Sequence, residues 1–376
     1  MKKYRYVLAL FLFITTIYFW WSNFDRNPTL KETSLKLREI SEFGQADNSK
    51  GNIVSIQPFM FTADYANLEN FYNKIDSYFA KAQVEGFFNE NTVVILPEHL
   101  GTGLIAENEK KSVLKASNIS KACELAIWSN LINFIPEYLN APDIPNKKQY
   151  ALFSMKSDKM AHVFNFVFSS MANKYNVYVI PGSIIIRNPN VKDGKLNSNK
   201  GDLFNISLLY KPDGTAYPHI IRKACPFKKE QDFIKSGSFE NIPVFDLPIG
   251  KTKILISNDA WYPEAYSKNN KDASVILSPG FLPEKLDEDW KSIVKELEPL
   301  PKDINPDKNI TTESAQLEHG LPGRLYSNHI PTGVSSFLRG DLWNVPNEGY
   351  TIVYNEKEIL TGYKIEGASI INLWLN

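Results

Sequence analysis

The run Thr92-Val-Val-Ile-Leu96, closed by Pro97, constrains the fold more than any other stretch of the chain. Successive side chains of a strand point to opposite faces, so consecutive aliphatic residues require both faces to be covered. That is the situation of a strand inside a layered α/β sheet. Elements of the right kind flank it. Ile53 to Gln57 is rich in β-branched residues, and Leu68, Phe71, Ile75, Phe79 and Ala82 recur at helical spacing between Tyr65 and Glu85, stopping at Gly86. A helix pattern over 159–174 leads into strands at 177–180, 183–187, 203–210 and 219–223, with a Pro212-Asp213-Gly214 turn before the last. Further strands are predicted at 253–256, 273–277, 350–354 and 368–375, and a helix starts near Pro263. With no internal repeat and no second boundary, residues 52–376 read as one α/β layered domain.

Composition supports a large core: 376 residues, 43% hydrophobic and 13% aromatic. The 42 basic and 42 acidic residues cancel, and no basic stripe is present, so nucleic acid is not an expected partner. Cys123 and Cys225 are the only cysteines, too few for a disulfide framework. Histidines 99, 162, 219, 319 and 329 are scattered without i, i+4 pairing. Neither a metal nor another cofactor is expected.

Residues 1–24 carry Lys2, Lys3 and Arg5 and then an uncharged run from Tyr6 to Trp21. The run ends in aromatics, and no small-residue cleavage site follows it. It reads as a retained signal-anchor helix with the N-terminus in the cytoplasm and the body extracytoplasmic, periplasmic or extracellular. Residues 25–51, polar and charged, read as a linker with one short helix.

Three strand ends carry chemistry. Pro97-Glu98 follows the apolar strand, Arg222-Lys223 ends the 203–223 hairpin, and Lys253-Ile-Leu-Ile-Ser257-Asn-Asp259 runs on to Tyr262-Pro263-Glu264. Between them stand Tyr178-Val-Ile-Pro-Gly182-Ser183 and Leu203-Phe204-Asn205. Together and in this order, these motifs resemble the carbon-nitrogen hydrolase (nitrilase) superfamily over roughly residues 52–376. The resemblance implies a four-layer α-β-β-α sandwich, Glu98 as general base and acid, and Lys223 stabilising an oxyanion. It implies a further glutamate orienting the lysine, for which Glu230 is the nearest match, and a homodimer. It also implies a nucleophilic cysteine where this chain has Ser257.

That exchange alters the chemistry. A thiol ionises near pKa ~8.5 and is intrinsically nucleophilic, whereas an alcohol depends on its base. Cys225 shares a strand face with Lys223, but Pro226 ends that strand, and Cys225 reads as a buried structural residue. Two functions therefore stand side by side. The chain is an amidase-type hydrolase forming an acyl-enzyme on Ser257, or a catalytically silent protein that binds an amide or carboxylate ligand through Glu98 and Lys223. The partner expected is a small amide or nitrile, with hydrophobic ones included.

Two segments are additions to this plan. Residues 122–139 are apolar around Pro136, which should end or kink a helix, and core packing is expected for them, with a lid or a membrane-resting helix as alternatives. Residues 284–317 are charged and read as a surface excursion. A single anchor before a nitrilase-like body also invites comparison with apolipoprotein N-acyltransferases, which makes acyl transfer to a lipid-like substrate a third branch.

Overall fold

The computed structural model describes residues 2–28, 33–46, 50–267 and 273–375. Two twisted sheets form its centre. In the first, the strands run in the order Leu37–Phe43, Ala368–Trp374, Asn52–Gln57, Thr92–Ile95 and Tyr178–Ile180. The second has the order Val244–Leu247, Gly250–Ile254, Val275–Gly280, Thr332–Phe337, Ile352–Asn355 and Glu358–Thr361. Both are mixed, with parallel neighbours at Thr92–Ile95 and at Gly250–Ile254.

The apolar run behaves as its sequence requires. Val94 and Leu96 face the helices Leu68–Val84 and Lys147–Tyr175, packing with Phe71, Ile75, Phe164 and Phe168. Val93 and Ile95 point the other way, into the layer shared with Ile254, Ile276 and Val334 of the second sheet. Leu321 and Leu325, from the helix Leu321–Asn328, join that second core. Helix, sheet, sheet and helix thus follow one another as layers.

Several expectations need correction. Part of the 25–51 linker lies outside the described residues, at 29–32 and 47–49, and where it is described it holds a strand instead of a helix. Leu37–Phe43 pairs in parallel with Ala368–Trp374 and forms the edge of the first sheet. Residues 284–317 are not merely a surface excursion. Trp290 is fully buried there, donates its indole N–H to Lys308 O at 2.7 Å and stacks on His319, with Ile293, Leu297 and Ile304 completing a third core. The charged positions alternate with these apolar ones and stay outside.

Residues 122–139 form two helices, Ile119–Ser129 and Leu131–Leu139. The break falls at Asn130 and not at Pro136, because the Asn130 amide bonds to Glu109 Oε1 at 2.7 Å and turns the chain. Nor is this segment packed into the core along its length, since Trp128, Ile132, Ile135 and Leu139 are exposed.

The N-terminal helix, Lys2–Asn23, contains a stretch from Tyr4 to Asn23 long and apolar enough to cross a membrane. Its C-terminal end touches the body. Tyr18 Oη accepts from Leu131 N at 2.9 Å and donates to Trp128 O at 3.3 Å. Arg26 donates to Ser129 O at 2.6 Å, and Lys110 reaches Trp21 O.

Candidate active site

Each motif residue leaves the end of a strand. Glu98 follows Thr92–Ile95, Lys223 follows Ile221–Arg222, and Ser257 follows Gly250–Ile254. The two sheets, with a separate three-stranded sheet of Ile221–Arg222, Leu203–Ser207 and Ile184–Arg187, bring these ends together, and Glu98 N donates across to Gly280 O at 3.1 Å. The end of a set of parallel strands is where α/β sheets open to ligands. Gly182 makes the close approach possible: it has φ of 76°, and a Cβ there would come within 1.9 Å of Pro97 O. Only glycine fits such a position without strain.

Glu98, Lys223 and Glu230 form one hydrogen-bonded chain. Lys223 Nζ donates to Glu98 Oε1 at 2.7 Å and to Glu230 Oε2 at 2.8 Å. All three residues are buried. Burial alone would lower the Lys223 pKa, but the two carboxylates beside it raise it, so the ammonium form holds. Burial opposes ionisation of Glu230 as well, and Lys223 and His99 outweigh it, holding this carboxyl well below the ordinary range. The short helix Lys228–Gln231 places Glu230, whose Oε2 also accepts from Phe227 N at 2.8 Å. Lys223 Nζ stands 4.3 Å from the Phe227 ring centroid, a cation–π distance.

Two further residues belong to the group. Asn205 donates to Glu98 Oε1 at 2.8 Å from the strand Leu203–Ser207. Its motif was legible in the sequence, but its role at the carboxylate was not. His99 was missed, because the residue after Glu98 in an extended chain faces away. It adopts φ of 61° instead, and its Nε2 comes within 3.2 Å of Glu230 Oε1 without the alignment of a hydrogen bond. One ligand atom each from Glu98, His99 and Glu230 lie within 4.8 Å of one another, a spacing that could hold a cation. The Lys223 ammonium already balances both carboxylates in that space.

Ser257 is set apart from this chain of charges. Its φ is 51°, a left-handed conformation that is strained for a residue with a side chain. Its Oγ lies 3.3 Å from both the N and the O of Phe281, which it can bond as acceptor and donor. The Phe281 ring meets His99 edge-on at 5.2 Å. Ser257 lines a cleft of about 20 Å³, whereas His99 and Glu230 open onto a cavity of about 530 Å³, and Phe281 lines both. Tyr65, Phe153, Leu338 and Trp343 make the larger cavity mostly apolar.

The surroundings of Ser257 differ from expectation in one respect. The sequence predicts a helix starting near Pro263, but Pro263–Tyr266 is a single 3-10 turn, and Ser257–Trp261 is another. Asp259, two residues on, accepts from Ala224 N at 2.9 Å and Cys225 N at 2.8 Å. Burial pushes its carboxyl up to about 7 against these bonds. Burial, with Asp259 nearby, pushes the Cys225 thiol up to about 12, which suits a structural cysteine and not a thiolate nucleophile.

No protein-family model and no curated protein match this sequence. Solved structures do match. An amidase from Nesterenkonia sp. superposes with a TM-score of 0.54 at 13% identity, over 87% of this chain and 92% of the other. A cysteine-to-alanine variant of the Nesterenkonia amidase in complex with butyramide gives 0.53 at 13% identity, over 87% and 92%, and so does a cysteine-to-alanine variant described as from the nitrilase superfamily. A cysteine-to-serine variant gives 0.51 at 14% identity, over 87% and 92%. The chain therefore has the fold of nitrilase-superfamily amidases.

Proposed function

We propose that this protein is a membrane-anchored, extracytoplasmic amidase-type hydrolase that forms an acyl-enzyme on Ser257. The observation that carries this reading is Glu98 Oε2, a buried carboxylate oxygen without a hydrogen-bond partner. The other oxygen of the same carboxylate is fixed by Asn205 and Lys223. A buried acceptor left open on an otherwise anchored carboxylate suits a group that takes a proton from a substrate or nucleophile.

Ser257 Oγ attacks the amide carbon and its proton passes to Glu98. Lys223 donates to the carbonyl oxygen as negative charge gathers there. The tetrahedral species collapses, the C–N bond breaks, and the amine leaves with the proton held by Glu98. Glu98 then takes a proton from water, whose oxygen attacks the acyl carbon; the acyl C–O bond to Ser257 breaks, Glu98 returns the proton to Ser257 Oγ, and the carboxylic acid is released. Glu230 orients Lys223 by sharing its ammonium. For the first step Ser257 Oγ must leave the Phe281 backbone. The apolar lining of the larger cavity favours amides with an apolar substituent.

A second reading has an observation of its own. With its Oγ held by Phe281 N and O, Ser257 serves equally as a turn residue in a protein that binds amide or carboxylate ligands without turnover. Intact-mass spectrometry of the full-length protein in detergent, after incubation with short- and long-chain primary amides, separates the two. The hydrolase should carry an acyl mass at residue 257 and release ammonia, Ser257→Ala should do neither, and Ser257→Cys should retain the adduct. An adduct on Ser257→Cys with none on wild type would sink the hydrolase and leave the binding protein. Lys223 is a poor test, because its removal strands two buried carboxylates and costs roughly 3–5 kcal/mol of stability.

A further inference from the structure

We infer that the outward apolar stripe Trp128, Ile132, Ile135 and Leu139 is a second membrane contact, lying at the headgroup–acyl boundary of the bilayer that the N-terminal helix enters. The inference rests on the anchoring reading above and not on the hydrolytic one.

Ile132, Ile135 and Leu139 recur at helical spacing within Leu131–Leu139 and Trp128 stands just before the break at Asn130; they are 50%, 49%, 76% and 58% exposed in that order. The helix Leu131–Leu139 buries Phe134 in the first core and still carries Ile132, Ile135 and Leu139 on its outer side. A surface helix normally buries its apolar stripe and shows its charge to water. Here the one charged residue, Glu137, pairs with the buried Arg187 at 2.9 Å, while Ile132, Ile135 and Leu139 face outward. Contiguous exposed apolar surface of this kind marks a binding face.

The occupant follows from where the stripe begins. Trp128 and Leu131 are hydrogen-bonded to Tyr18, and Lys110 sits over the Trp21 ring at 4.2 Å. Tyr18, Trp20 and Trp21 are the aromatic end of the Tyr4–Asn23 stretch, the level at which a span meets the headgroups. A helix of nine residues is about 14 Å long, too short to cross and long enough to lie in the plane. The stripe also connects to the site. Ile119 and Cys123, on the helix that carries Trp128, line the larger cavity. Cys123 and Trp128 are separated by about 7.5 Å of helix rise, which sets the stripe close to the cavity.

Nitroxide labels at Leu139→Cys and Ile135→Cys of the full chain in phosphatidylcholine nanodiscs test the inference, through collision with oxygen against a water-soluble nickel chelate. The labels are introduced in a Cys123→Ser/Cys225→Ser background, because both native thiols are free and Cys123 lines the larger cavity. Ile14→Cys reports on the span, and Lys357→Cys, in a turn of the second sheet, reports on water. Positions 135 and 139 are expected to favour oxygen as position 14 does, at shallower depth. If they match position 357 while position 14 favours oxygen, the docking face is wrong and the anchor stands. If position 14 also matches 357, the anchor fails and the docking face fails with it.

Discussion

At the scale of single residues, the site is an arrangement of charges that burial would neutralise if they stood alone. Lys223 stays charged because two carboxylates hold it, and Glu230 because Lys223 and His99 do. Asp259 has only backbone N–H donors, and its carboxyl rises to about 7. The folded protein therefore keeps a proton that the unfolded chain loses near pH 4, and the stability this group contributes is present below pH 4 and lost as pH rises through 7. Unfolding free energies of wild type and Asp259→Asn, from denaturant melts between pH 4 and 8, should show a shallower decline in the variant, by at most about 4 kcal/mol. Parallel curves would mean that the two N–H bonds keep Asp259 ionised throughout. Glu98, Lys223 and Ser257 were legible as motif residues, and Glu230 from its distance along the chain after Lys223. His99 was not, because a left-handed backbone at residue 99 is a product of packing.

Among elements, the edge strand Leu37–Phe43 carries the clearest lesson. Its polar residues suggested a tether, yet Glu39 is buried and accepts from Tyr363 N at 2.7 Å. An edge strand needs few apolar residues, since its backbone pairing does much of the work. A chain beginning at Asn52 leaves the Ala368–Trp374 strand without this partner. It should melt at least about 5 °C below a chain beginning at Thr33, or fail to stay soluble, since several lost ladder bonds at ~1 kcal/mol each outweigh a tether's contribution. Equal melting temperatures would return residues 33–46 to the role of linker. The opposite error occurred at residues 122–139, where an apolar pattern suggested core packing and Trp128, Ile132, Ile135 and Leu139 are exposed. Periodicity identifies the helix and its apolar face, but not what that face meets.

For the whole molecule, equal numbers of acidic and basic residues leave no net charge near neutrality. Self-repulsion is weakest there, so the detergent-solubilised full chain should be least soluble within about a unit of pH 7. Precipitation by polyethylene glycol from pH 5 to 9 measures this, and a flat profile would show that the detergent belt governs solubility. The sequence alone determined the layered α/β class, the Thr92–Ile95 strand covered on both faces, the apolar N-terminal helix, and the order of Glu98, Lys223 and Ser257 along the chain. Those features are local: side-chain alternation, helical period and turn chemistry act within a few residues. Tertiary structure decided the rest. It closed Lys223 between Glu98 and Glu230, turned His99 inward, tied Ser257 to Phe281, folded residues 284–317 around Trp290, and faced Ile132, Ile135 and Leu139 outward. Each of these depends on groups far apart in the chain, and only packing of the layers brings them within a few ångströms.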